Sequence, residues 1–270
     1  MIEINSLSKI YKNSTVYENC SFNIPEGKTL LIGPNGIGKT TLLSMIYGYR
    51  RPSSGNIKVF SLDSVGDIQE IRERVSYIPA DGNLPLNLKF NELLEYVECF
   101  VDRKKLDRYL TYFGIEYLLK KYPSNMSSGE RKLARISIGL SMERELTILD
   151  EPLINIDKQR KNLLVKLLNH EVRNVIMTTH EDDYIFYGKF NMIAVRRNIQ
   201  KSRSELYQLD ERKNAFSLRV KDEKIVEEIL KRYDIEFELE DGNFLIQTMS
   251  ENLIAEIFPF LLEYRRVLFE

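Results

Sequence analysis

Apolar and polar positions alternate over residues 2–28 as in a meander of antiparallel strands: Ile2-Glu3-Ile4, Thr15-Val16-Tyr17 and Cys20-Ser21-Phe22-Asn23-Ile24. Pro25-Glu26-Gly27 is a turn signal. It feeds Thr29-Leu30-Leu31-Ile32, a short apolar run that reads as a buried parallel strand. The pattern then predicts a helix over residues 41–47, stopped at Gly48, and strands at 57–60 and 75–79, the second ended by Pro79. From about residue 84 to 145 the period becomes helical, with apolar faces over 91–97, 106–113 and 133–142. Strands return at 146–149, 175–178 and 192–195, and a helix over 158–170 separates the first two, as a βαβ unit requires. The expectation is an α/β core with a mixed sheet, an antiparallel β part at its start and an inserted helical arm.

Beyond residue 200 the pattern starts afresh. Phe216-Ser217-Leu218-Arg219-Val220 alternates as a strand, and Ile225, Val226, Ile229, Leu230 and Tyr233 share one helical face. Residues 236–248 read as a hairpin around Asp241-Gly242, a two-residue turn signal. An amphipathic segment over 251–264 is interrupted at Pro259, and Val267-Leu268-Phe269 closes as a strand. The order βαββαβ predicts a small ferredoxin-like α+β module. Charge agrees with a boundary near 200: residues 201–270 hold 11 basic and 16 acidic residues, although the whole chain has a formal net charge of only −1. Two domains are therefore expected, 1–200 and 201–270.

Composition adds mainly exclusions. A hydrophobic content of 43% with 29% charged residues is ample for a sizeable core, and the near-neutral charge does not suggest a nucleic-acid partner. Cys20 and Cys99 lack metal-like spacing and read as reduced thiols. No basic-then-apolar leader is evident, and no apolar run approaches the ~18 residues of a membrane span. Any membrane role is expected to come through a partner.

The chemistry begins at Gly33-Pro34-Asn35-Gly36-Ile37-Gly38-Lys39-Thr40, which matches the phosphate-binding pattern G-x-x-x-x-G-K-[ST] between a strand and a helix. A triphosphate needs many donors at close range, so Gly33, Gly36 and Gly38 let the backbone curl and aim its N–H groups inward. The helix start adds partial positive charge. Lys39 would reach the β and γ phosphates and the Thr40 hydroxyl would bind Mg²⁺. Downstream, Leu146-Thr147-Ile148-Leu149-Asp150-Glu151-Pro152 is an apolar strand ending in two carboxylates. Asp150 can hold Mg²⁺ through water, and Glu151 can polarise the attacking water. Ser127-Ser128-Gly129-Glu130 precedes a helix and reads either as an anion-binding turn or as an ordinary helix cap. His180 follows the strand at 175–178, and Tyr11 offers a ring for an adenine to stack on, although each also fits a purely structural place. Asp157 reads equally as an N-cap for the helix that follows.

Taken in order, these stretches resemble the ATP-binding cassette ATPases, the nucleotide-binding subunits of ABC transporters, over residues 2 to about 200. The resemblance makes residues 33–41, with Thr41 included, the Walker A loop, and puts Tyr11 at the adenine-stacking position. Ser127, Ser128, Gly129 and Glu130 align with the signature, usually Leu-Ser-Gly-Gly-Gln. Asp150 and Glu151 align with Walker B and its catalytic glutamate, Asp157 with the end of the D-loop, and His180 with the switch histidine. It implies ATP and Mg²⁺ as ligands, a second cassette paired head to tail, a transmembrane permease partner, and a cytoplasmic place at the inner face of the membrane. The module beyond residue 200 resembles the appendage of exporter ATPases. Three departures stand out: Ala80 where the family carries glutamine after Tyr-x-Pro, Ser128 in place of the first signature glycine, and Ile154-Asn155 where small residues are common. Hydrolysis is expected, and expected to be slow. An impaired cassette paired with an active one, and a cassette ATPase acting on ribosomes or DNA, are the alternatives.

Overall fold

A computed structural model describes residues 1–12, 14–179, 190–198, 203–209, 215–219, 227, 231, 236–240 and 243–247. The chain divides into two compact units, Met1–Gln208 and Leu209–Glu270.

The first unit is built on a sheet of ten strands among the described residues. They are β1 (Ile2–Tyr11), β2 (Ser14–Ile24), β3 (Lys28–Ile32), β4 (Ser54–Val59), β5 (Leu62–Asp63), β6 (Val75–Ile78), β7 (Leu146–Leu149), β8 (Val175–Thr179), β9 (Asn191–Asn198) and β10 (Arg203–Leu209). The spatial order is β5-β4-β1-β2-β10-β9-β3-β8-β7-β6. Strands β9, β3, β8, β7 and β6 run parallel to one another, whereas β5, β4, β1 and β2 pair antiparallel. Helices α1 (Lys39–Ile46), α2 (Ile68–Arg74), α3 (Phe90–Val97), α4 (Arg103–Tyr112), α5 (Ser128–Ser141) and α6 (Lys158–His170) complete the unit. The helical arm expected over 84–145 is present as α3, α4 and α5 with two 3₁₀ turns between them.

Residues 2–24 form two long strands rather than the three short ones that the alternation predicts. Register slips interrupt the β1–β2 ladder between Ile4 and Ile10, and Ser6 and Asn19 sit at φ 47° and 49°. Each bulge swaps the faces of the residues beyond it, so one continuous strand shows a broken period. Helix α2 and the short β5, which the pattern did not mark, follow β4.

The parallel strands are buried on both faces, which is why they read as unbroken apolar runs. Leu30 and Ile32 of β3 enter one core cluster and Leu31 the other; Val175 and Met177 of β8 divide from Ile176 in the same way. The first cluster continues into the arm through Phe90, Leu94, Leu106, Leu110, Phe113 and Leu133. Each such side chain contributes ~1.5–3 kcal/mol on burial, so the arm is packed into the body of the unit. No helix among the described residues is long and apolar enough to cross a membrane.

In the second unit β11 (Ala215–Arg219), β12 (Glu236–Glu240) and β13 (Asn243–Gln247) form an antiparallel sheet in the order β11-β13-β12. Glu240 pairs with Asn243, as the predicted hairpin requires. Glu227 and Lys231 are helical and joined by an ion pair. The helix and strand predicted over 251–269 lie outside the described residues.

Candidate functional site

The carboxyl-terminal ends of β3, β8 and β7 stand side by side, with Ile32 paired to Thr179 and Leu149 to Met177. Beyond this edge is where open α/β sheets bind ligands, and the glycine loop leaves β3 there. Gly38 caps α1 at φ +114°, and a Cβ on it would come within 2.6 Å of Val16 Cγ1. A Cβ on Gly33 would approach the Val195 carbonyl oxygen to 2.5 Å. The loop must therefore be glycine at both ends for steric reasons. The hydroxyl of Tyr17, a fully buried side chain, donates to the Gly38 carbonyl at 3.0 Å, and burial pushes this phenol far above its ordinary range, so it stays a neutral donor. Lys39 is 4% exposed; its ammonium donates to the Gly33 carbonyl and to Pro34 O at 3.2 Å. Asn35, Gly36 and Thr40 are exposed and Thr41 is half-buried. The first turn of α1 holds no acidic residue, and the partial positive charge of a helix start favours an anion.

Across the edge, Asp150 and Glu151 are tied together by one hydroxyl. Thr178 Oγ1 donates to Asp150 Oδ1 at 2.6 Å and accepts from the Glu151 amide at 2.7 Å. Asp150 is 2% exposed, and its other oxygen, Oδ2, is buried without a hydrogen-bond partner. Such an orphan is costly unless something binds it. A carboxylate oxygen held open beside a phosphate loop, with the Thr40 hydroxyl at the start of α1, fits a hard divalent cation such as Mg²⁺. Tyr77, on neighbouring β6, hydrogen-bonds Ser44 and faces Asp150. Burial, reinforced by that negative charge and moderated by the Ser44 bond, pushes its phenol up to about 12. Glu151 is half-buried and sits at φ 48°, in the left-handed region.

The Ser127–Glu130 turn caps α5. Ser127 Oγ accepts from the Glu130 amide at 3.1 Å, and Glu130 Oε2 accepts from the Ser127 amide at 2.6 Å, a reciprocal capping box. Glu130 Oε1 accepts further from Tyr117 (2.7 Å) and Lys121 (3.0 Å). Burial alone would raise its pKa, yet these donors hold it down at about 2. Ser127 and Ser128 are exposed, whereas a Cβ on Gly129 would collide with the Asn155 carbonyl oxygen. Asp157 caps α6, accepting from the Arg160 amide at 3.0 Å and pairing with its guanidinium at 3.1 Å; the amide bond above all lowers its carboxyl pKa. The cap reading of Asp157 is thus realised in the structure. Tyr11 closes β1 with the Lys9 ammonium 4.8 Å from its ring centroid, and its hydroxyl accepts from Arg50. Ala80 follows β6, and Asp81 and Asn83 beside it are exposed. His180 lies outside the described residues.

Sequence reasoning missed Thr178, Tyr17, and the cations Lys132 and Arg135 on α5. In the sequence Thr178 reads as one residue of an apolar strand, and no local motif links it to Asp150 and Glu151, 28 and 27 residues away. Lys132 donates to the Glu151 carbonyl at 2.8 Å, and Arg135 to the carbonyls of Pro79 (3.1 Å) and Ala80 (3.2 Å). Two basic residues one turn apart, Lys132 and Arg135, within an otherwise largely apolar helical run were the available signal.

Comparison with known proteins points the same way. A family model described as ABC transporter matches residues 17–154. An Archaeoglobus fulgidus protein assigned as an ABC transporter ATP-binding protein is 31% identical over 215 residues, covering 74% of this chain and 89% of its own. A zinc import ATP-binding protein of Anaplasma marginale is 28% identical, covering 74% and 81%. A linearmycin resistance ATP-binding protein of Bacillus subtilis is 30% identical, covering 67% and 61%. Among solved structures, an ATP-binding subunit of an ABC transporter superposes with a TM-score of 0.68 at 20% identity over 96% of this chain and 99% of its own. A dimeric ATP-binding cassette in a post-hydrolysis state with ADP and Pi gives 0.65 at 21% identity over 78% and 99%. With the family model spanning half of the chain and a relative matched along nearly its whole length, the chain belongs to the ABC transporter family, as one of its ATP-binding cassettes and hence an ATPase.

Proposed function

We propose that this cassette hydrolyses ATP at the seam between two paired cassettes and thereby drives a separate membrane permease, exporting its cargo. The observation that carries the chemistry is the Asp150–Thr178–Glu151 network on the same sheet edge as the glycine loop. Backbone amides of Gly33, Asn35, Gly36 and Gly38 hold the phosphates with Thr41, and Lys39 turns from the loop carbonyls to the β and γ oxygens. Thr40 and Asp150 would hold Mg²⁺, which would supply positive charge to the phosphates. Glu151 accepts the proton of the attacking water, and His180 contacts the γ phosphate. Tyr11 stacks on the adenine once its cationic neighbours yield the ring. Ser127, Ser128 and Gly129 of each cassette offer their helix start to the nucleotide held by the other, with Glu130 fixing the turn and Asp157 at the D-loop end. Exposed Ser127 and Ser128 support that reading. The outward direction rests on the appendage: the strand order β11-β13-β12 is the one a βαββαβ module needs. The zinc import relative is as similar as the linearmycin resistance one, so direction is tested by transport in sealed vesicles, not inferred from likeness.

Ala80 and Ser128 favour a second reading, a slow cassette that depends on an active partner. Turnover and MgATP affinity of the purified chain, with Lys39→Ala and Glu151→Gln, separate the two. Glu151→Gln is expected to keep nucleotide affinity and lose turnover by ~10²- to 10⁴-fold; Lys39→Ala is expected to lose affinity. Absence of any Glu151-dependent turnover favours the impaired cassette. Co-purification with ribosomal or nucleic-acid components in place of a membrane protein removes the permease.

A further inference from the structure

Glu151 holds an unfavourable backbone conformation at φ 48°, which costs ~1–3 kcal/mol and persists only where its surroundings enforce it. Both of its peptide groups are held. Its amide is bound by Thr178, and its carbonyl by the ammonium of Lys132 at 2.8 Å. Lys132 is 7% exposed, and burial lowers its pKa, with Arg135 adding to that and Glu151, Asp81 and Asp150 opposing it. One turn along α5, Arg135 spans the carbonyls of Pro79 and Ala80, and a Cβ on Gly82 would collide with its guanidinium. These two stretches follow adjacent strands, since Ile78 pairs with Leu149 and the Asp150 amide donates to Ile78 O at 2.9 Å. One face of α5 thus grips the backbone beyond β7 and beyond β6, while its first residue lies next to Ser127.

We propose that Lys132 and Arg135 are positioning residues for hydrolysis: from α5, Lys132 holds Glu151 in its left-handed conformation and Arg135 holds the Ala80 loop against it. The helix that begins at the Ser127 turn then moves as one piece with the catalytic carboxylate. Where the family's glutamine is missing, a main-chain clamp supplies the rigidity of the loop. The proposal rests on Glu151 being the catalytic carboxylate.

The test measures kcat, KM for MgATP, nucleotide affinity and thermal midpoint for the full chain and for Lys132→Met, Arg135→Lys and Glu151→Gln. Lys132→Met is expected to lower kcat about 10- to 100-fold, as a small misplacement of a catalytic group does, with KM and affinity unchanged. Arg135→Lys keeps the charge but loses the fork, and is expected to lower kcat several-fold in the same pattern. A purely structural role lowers the midpoint and leaves kcat per folded molecule intact, which overturns the proposal. If Lys132→Met does not fold, wild-type kcat in Arg135→Lys overturns it alone. Undiminished turnover in Glu151→Gln sinks the catalytic reading itself, a distinct failure.

Discussion

Replacing Thr178 by valine keeps the shape of the side chain and deletes one hydroxyl that serves two partners. Thr178 is 1% exposed, so water cannot take its place. The change strands the Glu151 amide and leaves Asp150, already carrying an unpartnered Oδ2, with both oxygens unsatisfied. A lost bond to a charged group costs about 1.5–3 kcal/mol and a stranded buried amide about 1–3 kcal/mol, so Thr178→Val should lower stability by roughly 3–5 kcal/mol. For a unit of this size each kcal/mol moves the midpoint by ~2–4 °C, which gives a fall of ~6–20 °C by calorimetry. Thr178→Ser, which keeps the hydroxyl, should recover most of it. Added Mg²⁺ with ATP should raise both midpoints, and raise the parent's at least as much as the variant's, because binding to the folded state stabilises in proportion to affinity. A Thr178→Val variant as stable as the parent, within ~0.5 kcal/mol, would show that the hydroxyl does not join the two carboxylate-bearing residues.

The Glu130 carboxyl, held at about 2 against an ordinary 4.5, contributes stability that is complete above pH ~5 and drains away as pH falls towards 2. Urea titrations of Glu130→Gln should show a flatter acid limb across that window, and an unchanged limb contradicts the assignment. Gly129→Ala gains ~1 kcal/mol of helix propensity but drives a methyl into the Asn155 carbonyl; overpacking costs ~1–3 kcal/mol, so net destabilisation in denaturant is expected, and a stabilised variant refutes the contact. Tyr17→Phe removes a donor from Gly38 O, which still accepts from the Leu42 amide at 2.9 Å. It should cost ~1 kcal/mol, read by denaturant unfolding, and weaken nucleotide binding a few-fold, read by calorimetric titration.

What could be read in the sequence was what is contiguous. The glycine loop, the strand ending in Asp150 and Glu151, and the Ser127 turn each fit within eight residues, where a strand, a turn and a helix start are locally encoded. The arm was legible because its helices carry a clear apolar face. The β1–β2 hairpin was not, since bulges at Ser6 and Asn19 break the alternation that identifies a strand. Strand β10 joins the main sheet beside β2, where Ser204 meets Tyr17, and no charge asymmetry could foretell a pairing so distant along the chain. Thr178, Lys132 and Arg135 act through backbone carbonyls, amides and one carboxylate far off in sequence, so their partners leave no residue-type pattern to find.

Main chain meets main chain where Gly129 rests on Asn155, and neither side can make room by exchanging a side chain. Adjacent Ser128 points to solvent and meets no such wall. Steric tolerance within the chain therefore changes abruptly between two neighbouring positions. A side chain fits at 128, but one at 129 demands that the turn over 153–157 be rebuilt in the same stroke.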